Sequence, residues 1–184
     1  MVPEAAPRLT KNGLVVDVDG WFVLNARDSR WRSEGPLGSF CNFEGKRRFP
    51  QLGFNISVLA RGESTGMYHR ENAQEGFLVV AGECVLIVEE EERPLRQWDF
   101  FHCPGGTEHI IVGASDEPAI LVCVGARGRG VGGGVVYAVS ELAARYGASV
   151  EHETTKSSEA YAQIFAELPR SHFVPYEPGW LPDE

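Results

Sequence analysis

The chain has 184 residues, 43% of them apolar, and a formal net charge of −9. That length suits one domain with a sizeable core. The acidic balance excludes nucleic acid as a main partner, because phosphate contacts need a concentrated basic face. No apolar run approaches the ~20 residues of a membrane span, and Met1 to Lys11 lacks the apolar core of a secretory signal, so a cytoplasmic protein is expected.

Residues 1–12 read as a loose arm with Pro3 and Pro7. Two short apolar runs follow, Leu14–Val16 and Trp21–Leu24, and Asp19-Gly20 between them predicts a hairpin. Residues 26–50 mix Gly, Arg and Ser with Trp31, Phe40, Phe43 and Phe49, which predicts an ordered loop region with short strands. From Leu52 the pattern predicts strands at Phe54–Leu59, Gly66–Glu71, Gly76–Ala81, Glu83–Val88, Asp99–Cys103, His109–Val112 and Ala119–Val124. Turn signals at Arg61–Glu63, Gly82-Glu83, Glu89–Arg93, Pro104–Gly106 and Ser115–Pro118 separate them. Within the third, the acid run Glu89–Glu92 reads as a solvated hairpin tip. Short, regularly punctuated strands of this kind imply an all-β sandwich or barrel.

The glycine-rich stretch 125–134 contains Gly128, Gly130 and Gly133 at dinucleotide-loop spacing. A strand-like run, Val135–Val139, follows where that motif needs a helix, so a plain loop is expected. Ser140 is placed to cap a short helix, Glu141–Tyr146, closed by Gly147. A second helix is expected from Ser157 or Ser158 to Leu168. Its apolar stripe of Tyr161, Ile164, Phe165 and Leu168 is expected to pack on the barrel or on a second subunit. Phe173 to Glu184 should be extended and pinned by its aromatic residues. The basic clusters, Lys46-Arg-Arg48 and Arg127 with Arg129, read as solvated surface or anion contacts.

Four groups suited to a divalent metal lie between Gly66 and His109. His69 and Glu71 are two apart, which in a strand sets them on one face. Glu75 opens an apolar run after a short polar turn, and His109 opens another. Imidazole and carboxylate together suit Zn, Fe, Mn, Ni or Co. Two carboxylates close together in an apolar interior would repel, and one would hold a proton unless a cation joined them. The four cysteines, Cys41, Cys84, Cys103 and Cys123, form no Cys-x-x-Cys pair. Cys84 and Cys123 read as small buried hydrophobes in a reducing compartment. Cys103, beside Pro104, has a cavity-facing reading as its alternative. His102 and Cys103 point to opposite faces of one strand and cannot pair directly. Serine-hydrolase elbow, P-loop and zincin motifs do not occur.

His69-x-Glu71, three residues, Glu75, six residues, Gly82 resembles the first signature motif of the cupin superfamily. Pro104-x-Gly106-x-x-His109 resembles the second. Glu71 stands where that family has a second His, Gly113 where Asn is usual, and Trp98 where Gly normally opens the second motif. The resemblance implies an all-β double-stranded β-helix (jelly-roll) barrel with a short helical C-terminal tail. It divides the chain into an N-terminal arm with strands packing on the barrel (1–50), the barrel (51–137) and the tail (138–184).

It also implies one divalent transition metal held by His69, Glu71, Glu75 and His109, a homodimer, and a small-molecule ligand. Glu71 has three readings: metal ligand, acceptor orienting a histidine, or catalytic acid/base. Two imidazoles and one or two carboxylates leave open coordination positions. The function expected first is an oxygenase-type enzyme acting on a small oxygenated or aromatic molecule. A metal-dependent isomerase or decarboxylase, a small-molecule sensor and a barrel with a purely structural metal are the alternatives.

Overall fold

The computed structural model describes residues 1–127, 134–167 and 172–182. The glycine trio Gly128, Gly130 and Gly133, as well as Arg129, Leu168 and the last two residues, lies outside them. The chain begins with β1 (Arg8–Thr10) and β2 (Gly13–Val15), then β3 (Trp31–Ser33), β4 (Ser39–Cys41) and β5 (Leu52–Leu59). Next come β6 (His69–Arg70), β7 (Glu75–Ala81), β8 (Glu83–Val88), β9 (Glu91–Arg96) and β10 (Phe100–Cys103). The strands β11 (His109–Gly113), β12 (Ala119–Ala126) and β13 (Val136–Tyr137) lead to α1 (Glu141–Ala144), α2 (Ser157–Ala160) and α3 (Ala162–Glu167), and β14 (His172–Val174) follows.

Two sheets face each other, which is the jelly-roll solution for short antiparallel strands. One runs β10-β7-β12-β5-β4-β3-β14 and the other β13-β6-β11-β8-β9. Alternation along the strands places Leu59, Val79, Leu86, Ile111 and Leu121 between the sheets, where they are buried with Phe77, Cys84, Cys103 and Cys123. A second cluster packs α1 against the outer face of the smaller sheet through Ala143, Tyr68, Ile87 and Ile110. On the outer face of the larger sheet, Trp31 and Cys41 pack with Val58 and Ile120, and Trp180 and Tyr176 close over Trp31.

Several expectations are corrected. The N-terminal hairpin joins β1 to β2 across Lys11-Asn12, not across Asp19-Gly20, so the arm is not loose. Asn12 precedes a glycine at φ 116°, whose missing Cβ lets the chain pass Ser29. The strand expected over Gly66–Glu71 is confined to His69–Arg70. The turn expected over Glu89–Arg93 is only Glu89-Glu90, both at positive φ as a two-residue hairpin turn requires. The remaining acids enter β9, an edge strand paired to β8. Its charges and Pro94 suit an edge that must not recruit another strand.

Trp98, in the slot where a glycine is usual, sits at φ 76° and is exposed. At Gly113 a Cβ would fall 2.3 Å from the Ala60 carbonyl oxygen, so the asparagine usual there has no room. Ser140 caps α1, its hydroxyl accepting from Ala143 N at 2.9 Å. The second expected helix starts at Ser157 but breaks at Tyr161 into α2 and α3. Among the described residues no helix is long and apolar enough to cross a membrane.

Candidate metal centre

His69 and His109 are cross-strand partners on β6 and β11. Their rings lie 4.9 Å apart, centroid to centroid. Glu75 opens β7 on the opposite sheet and reaches across the interior. The ligating atoms of His69, Glu75 and His109 lie within 4.8 Å of one another.

Each imidazole has its other nitrogen committed. Nδ1 of His69 donates to the Met67 carbonyl at 2.7 Å, and Nδ1 of His109 donates to the Thr107 carbonyl at 3.1 Å. Both Nε2 atoms are therefore left as lone-pair donors. Cys103 sits behind His109, its Sγ 3.4 Å from Nδ1, so it backs the ring instead of lining the open side. Phe77 and Phe101 pack against the same ring.

Nε2 of His109 is 3.4 Å from Oε2 of Glu75. That oxygen is buried and has no hydrogen-bond partner among the described residues. Two electron-rich atoms face each other in a largely buried site, which is unfavourable unless a proton or a cation lies between them. The donor set and the orphaned oxygen both fit a divalent metal.

Burial, with the Glu71 charge adding to it, pushes the Glu75 carboxyl up to about 7. Burial and the neighbouring His69 ring push His109 down to about 4. Burial also lowers His69, against the Met67 carbonyl and the Glu71 charge. Near neutrality the proton that competes with a metal is thus on Glu75, not on an imidazole. Metal affinity should fall about tenfold per pH unit below pH 7, as one proton is displaced per metal bound. Zinc or cobalt titrations between pH 5.5 and 8 check this, and a flat profile would count against Glu75 as the displaced acid.

The structure brings three of the four expected groups together. Glu71 stands apart, because β6 ends at Arg70 and the chain turns there. Its Oε1 is 3.9 Å from Nε2 of His69, at the mouth of the site, with the side chain 34% exposed. The Glu71 carbonyl accepts from Gly106 N at 2.6 Å, which ties the first histidine segment to the loop carrying the second. Two features are absent from the sequence reading. Gly53 and Gly125 are cross-strand partners and leave an opening beside Glu75. Arg127, read as surface or anion contact, is half-buried against Glu44. The alternation Leu121, Cys123, Gly125, Arg127 along one face of the last long strand was the available signal.

A profile of the cupin domain matches residues 55–125. Together with the jelly-roll sheets already described, this match supports a cupin-type domain over those residues. Among solved structures, a sugar phosphate isomerase of the cupin superfamily from Silicibacter pomeroyi is 19% identical, with 85% of this chain and 83% of that chain covered and a TM-score of 0.48. A cupin protein from Bacteroides fragilis is 19% identical, over 46% of this chain and 73% of that one, at a TM-score of 0.41. A candidate sugar phosphate isomerase from Acidithiobacillus ferrooxidans is 21% identical over 55% of this chain, at a TM-score of 0.45, and the match spans 65% of that chain, just under two thirds. No substrate is carried over from them. No curated protein matches the chain.

Proposed function

We propose that the chain is a metal-dependent enzyme acting on a small oxygenated molecule, with His69, Glu75 and His109 holding one divalent transition metal. The observation that carries this reading is the buried, unpartnered Glu75 oxygen facing two imidazole nitrogens whose tautomers are fixed from behind. Such a metal, when bound, supplies a Lewis acid with open positions on one side. Oxygenase-type chemistry would require that the ion be redox-active and that dioxygen serve as the oxidant.

Glu71 favours a second reading, that of an isomerase. A partly exposed carboxylate beside the metal pocket is placed to take a proton from a carbon next to a carbonyl and to return it elsewhere. Phe77 and Phe101 keep the back of His109 dry, which strengthens electrostatic interactions inside the site.

The groove formed by Leu52, Leu78, Phe100, Val122 and Val124 on the outside of the larger sheet is the surface we assign to a homodimer contact. The cytoplasm is the compartment in which four free thiols of this kind are expected.

The test is reconstitution of metal-free protein with cobalt(II). Stoichiometric uptake with visible d–d bands of a low-coordinate site is expected, and absence of uptake would sink the proposal. Glu71→Gln is expected to retain the metal. It should lose about 100-fold or more in proton exchange of small hydroxy-ketones, followed by NMR in deuterated water. Metal loss on that substitution would make Glu71 a ligand instead.

A further inference from the structure

The metal reading leaves open which molecules the site takes, and the far end of the same cavity bears on that. A cavity of about 210 Å³ is lined by Glu71, Glu75, Asn55, Gly53, Gly125 and Arg127. It therefore begins at the metal-binding carboxylate and ends at a guanidinium. Arg127 lies two residues beyond Gly125 on the same face, about 7 Å along the chain. A Cβ at Gly125 would lie 3.6 Å from Oε1 of Glu75, so this glycine forms the floor next to the metal centre.

Among the described residues, the Arg127 side chain is held through Nη1. Its Nη1 contacts the Glu44 carboxylate and reaches the Phe49 carbonyl at 3.3 Å. Glu44 is buried and also accepts from Phe49 N at 2.8 Å, so the pair is anchored in the N-terminal segment. Gly53 lies against the face of the guanidinium, where a Cβ would fall 2.9 Å from Nε and Nη2 and 3.0 Å from Cζ. Any other residue at 53 would displace the guanidinium. Nε and Nη2 form the planar fork that receives a carboxylate or phosphate through two parallel bonds. Asn55 also lines this cavity, its Oδ1 accepting from the Ser57 hydroxyl at 2.8 Å.

From this arrangement we infer that Arg127 is an anion subsite for the metal centre. The molecule bound there carries oxygen donors for the metal at one end and a carboxylate or phosphate at the other, on a short carbon skeleton. The inference rests on the metal reading for its first half and on the Gly53–Arg127–Glu44 geometry for its second. Glu44 orients the arginine and is a positioning residue. The glycine pair makes the path between the ends passable.

The experiment uses cobalt-loaded protein and two pairs of probes. Malate and 2-hydroxybutyrate differ by a distal carboxylate, and 3-phosphoglycerate and glycerate by a distal phosphate. Binding is followed through the cobalt d–d bands. The probe with the distal anion is expected to bind about 10- to 100-fold more tightly in at least one pair, the size of a charge-assisted contact. Which pair responds separates carboxylate from phosphate. Arg127→Lys keeps the charge opposite Glu44 but loses the fork, and should reduce the ratio to about threefold or less with cobalt content unchanged. The double variant Glu44→Gln with Arg127→Gln leaves no buried charge unpaired and should abolish the ratio.

Equal affinities within both pairs in the wild-type protein would overturn the inference. So would a preference that survives both variants. Wild-type protein that takes up no cobalt would overturn the metal reading alone. The Arg127 Nε–H resonance then reads the subsite in metal-free protein, shifting with malate or 3-phosphoglycerate but not with their uncharged-end partners if the inference holds, and with neither if it fails.

Discussion

Glu75→Gln makes the metal-free protein more stable at pH 8 while removing its metal affinity. The folded-state pKa of Glu75 is raised from an ordinary 4.5 to about 7. A raised carboxyl contributes stability that is fully present below its unfolded value and lost as pH rises through its folded value. The wild-type, metal-free protein thus loses stability from this group between about pH 4.5 and 7. Above that range it holds an ionised carboxylate facing the lone pair of His109. The amide is close to the carboxyl in shape, carries no charge and can donate to Nε2 of His109.

The expected gain is about 1–3 kcal/mol above pH 7, given 1.36 kcal/mol per pKa unit and partial access of solvent. In a protein of this size that is roughly 3–10 °C in melting temperature. Below pH 4.5 the two proteins should melt together. His109, whose value is depressed from 6.5 to about 4, costs both proteins stability as pH falls through that window. Chelator-treated samples melted at pH 4.5 and pH 8 provide the check. An equal or lower melting point for the variant at pH 8 would refute the charge conflict on which the metal assignment stands.

His109→Ala and His69→Ala should each lower metal affinity by at least about 1000-fold, because two remaining donors are a poor site for a transition metal. Their structural costs differ. His109 is 1% exposed and packs against the stacked pair Phe77 and Phe101, so its truncation leaves a cavity and strands the Thr107 carbonyl. A loss of about 2–4 kcal/mol is expected there. His69 is closer to solvent and should cost about half as much. Metal content by mass spectrometry and melting by circular dichroism separate the two effects. Full metal retention in both variants would mean that other residues organise the pocket.

The barrel was legible because its strands are short, largely apolar runs punctuated by glycine and proline. Leu52–Leu59 and Ala119–Ala126 are such strands, and they pair along their full length. β9 was not legible. Four acids in a row and Pro94 mimic a loop, and only pairing with β8 makes them a strand. His69, Glu75 and His109 were legible from spacing, since each lies within a residue of a strand start. Glu71 was placed by motif spacing and by a period-two argument; β6 ends at Arg70, and the Glu71 Oε1 lies 3.9 Å from Nε2 of His69. Arg127 was hidden for another reason. A half-buried arginine needs a counter-charge, and Glu44 is 83 positions away in the chain.

The hydrogen bonds that aim the imidazoles come from backbone carbonyls of their own segments, and Gly106 N ties the two segments together through the Glu71 carbonyl. None of these bonds depends on an ion. The pocket is therefore assembled by folding itself, and the proposed ion could be exchanged without the barrel opening. Occupancy in such a receptacle follows supply: protein produced in medium rich in one transition ion should emerge carrying that ion, and its chemistry would be reset by dialysis instead of by mutation.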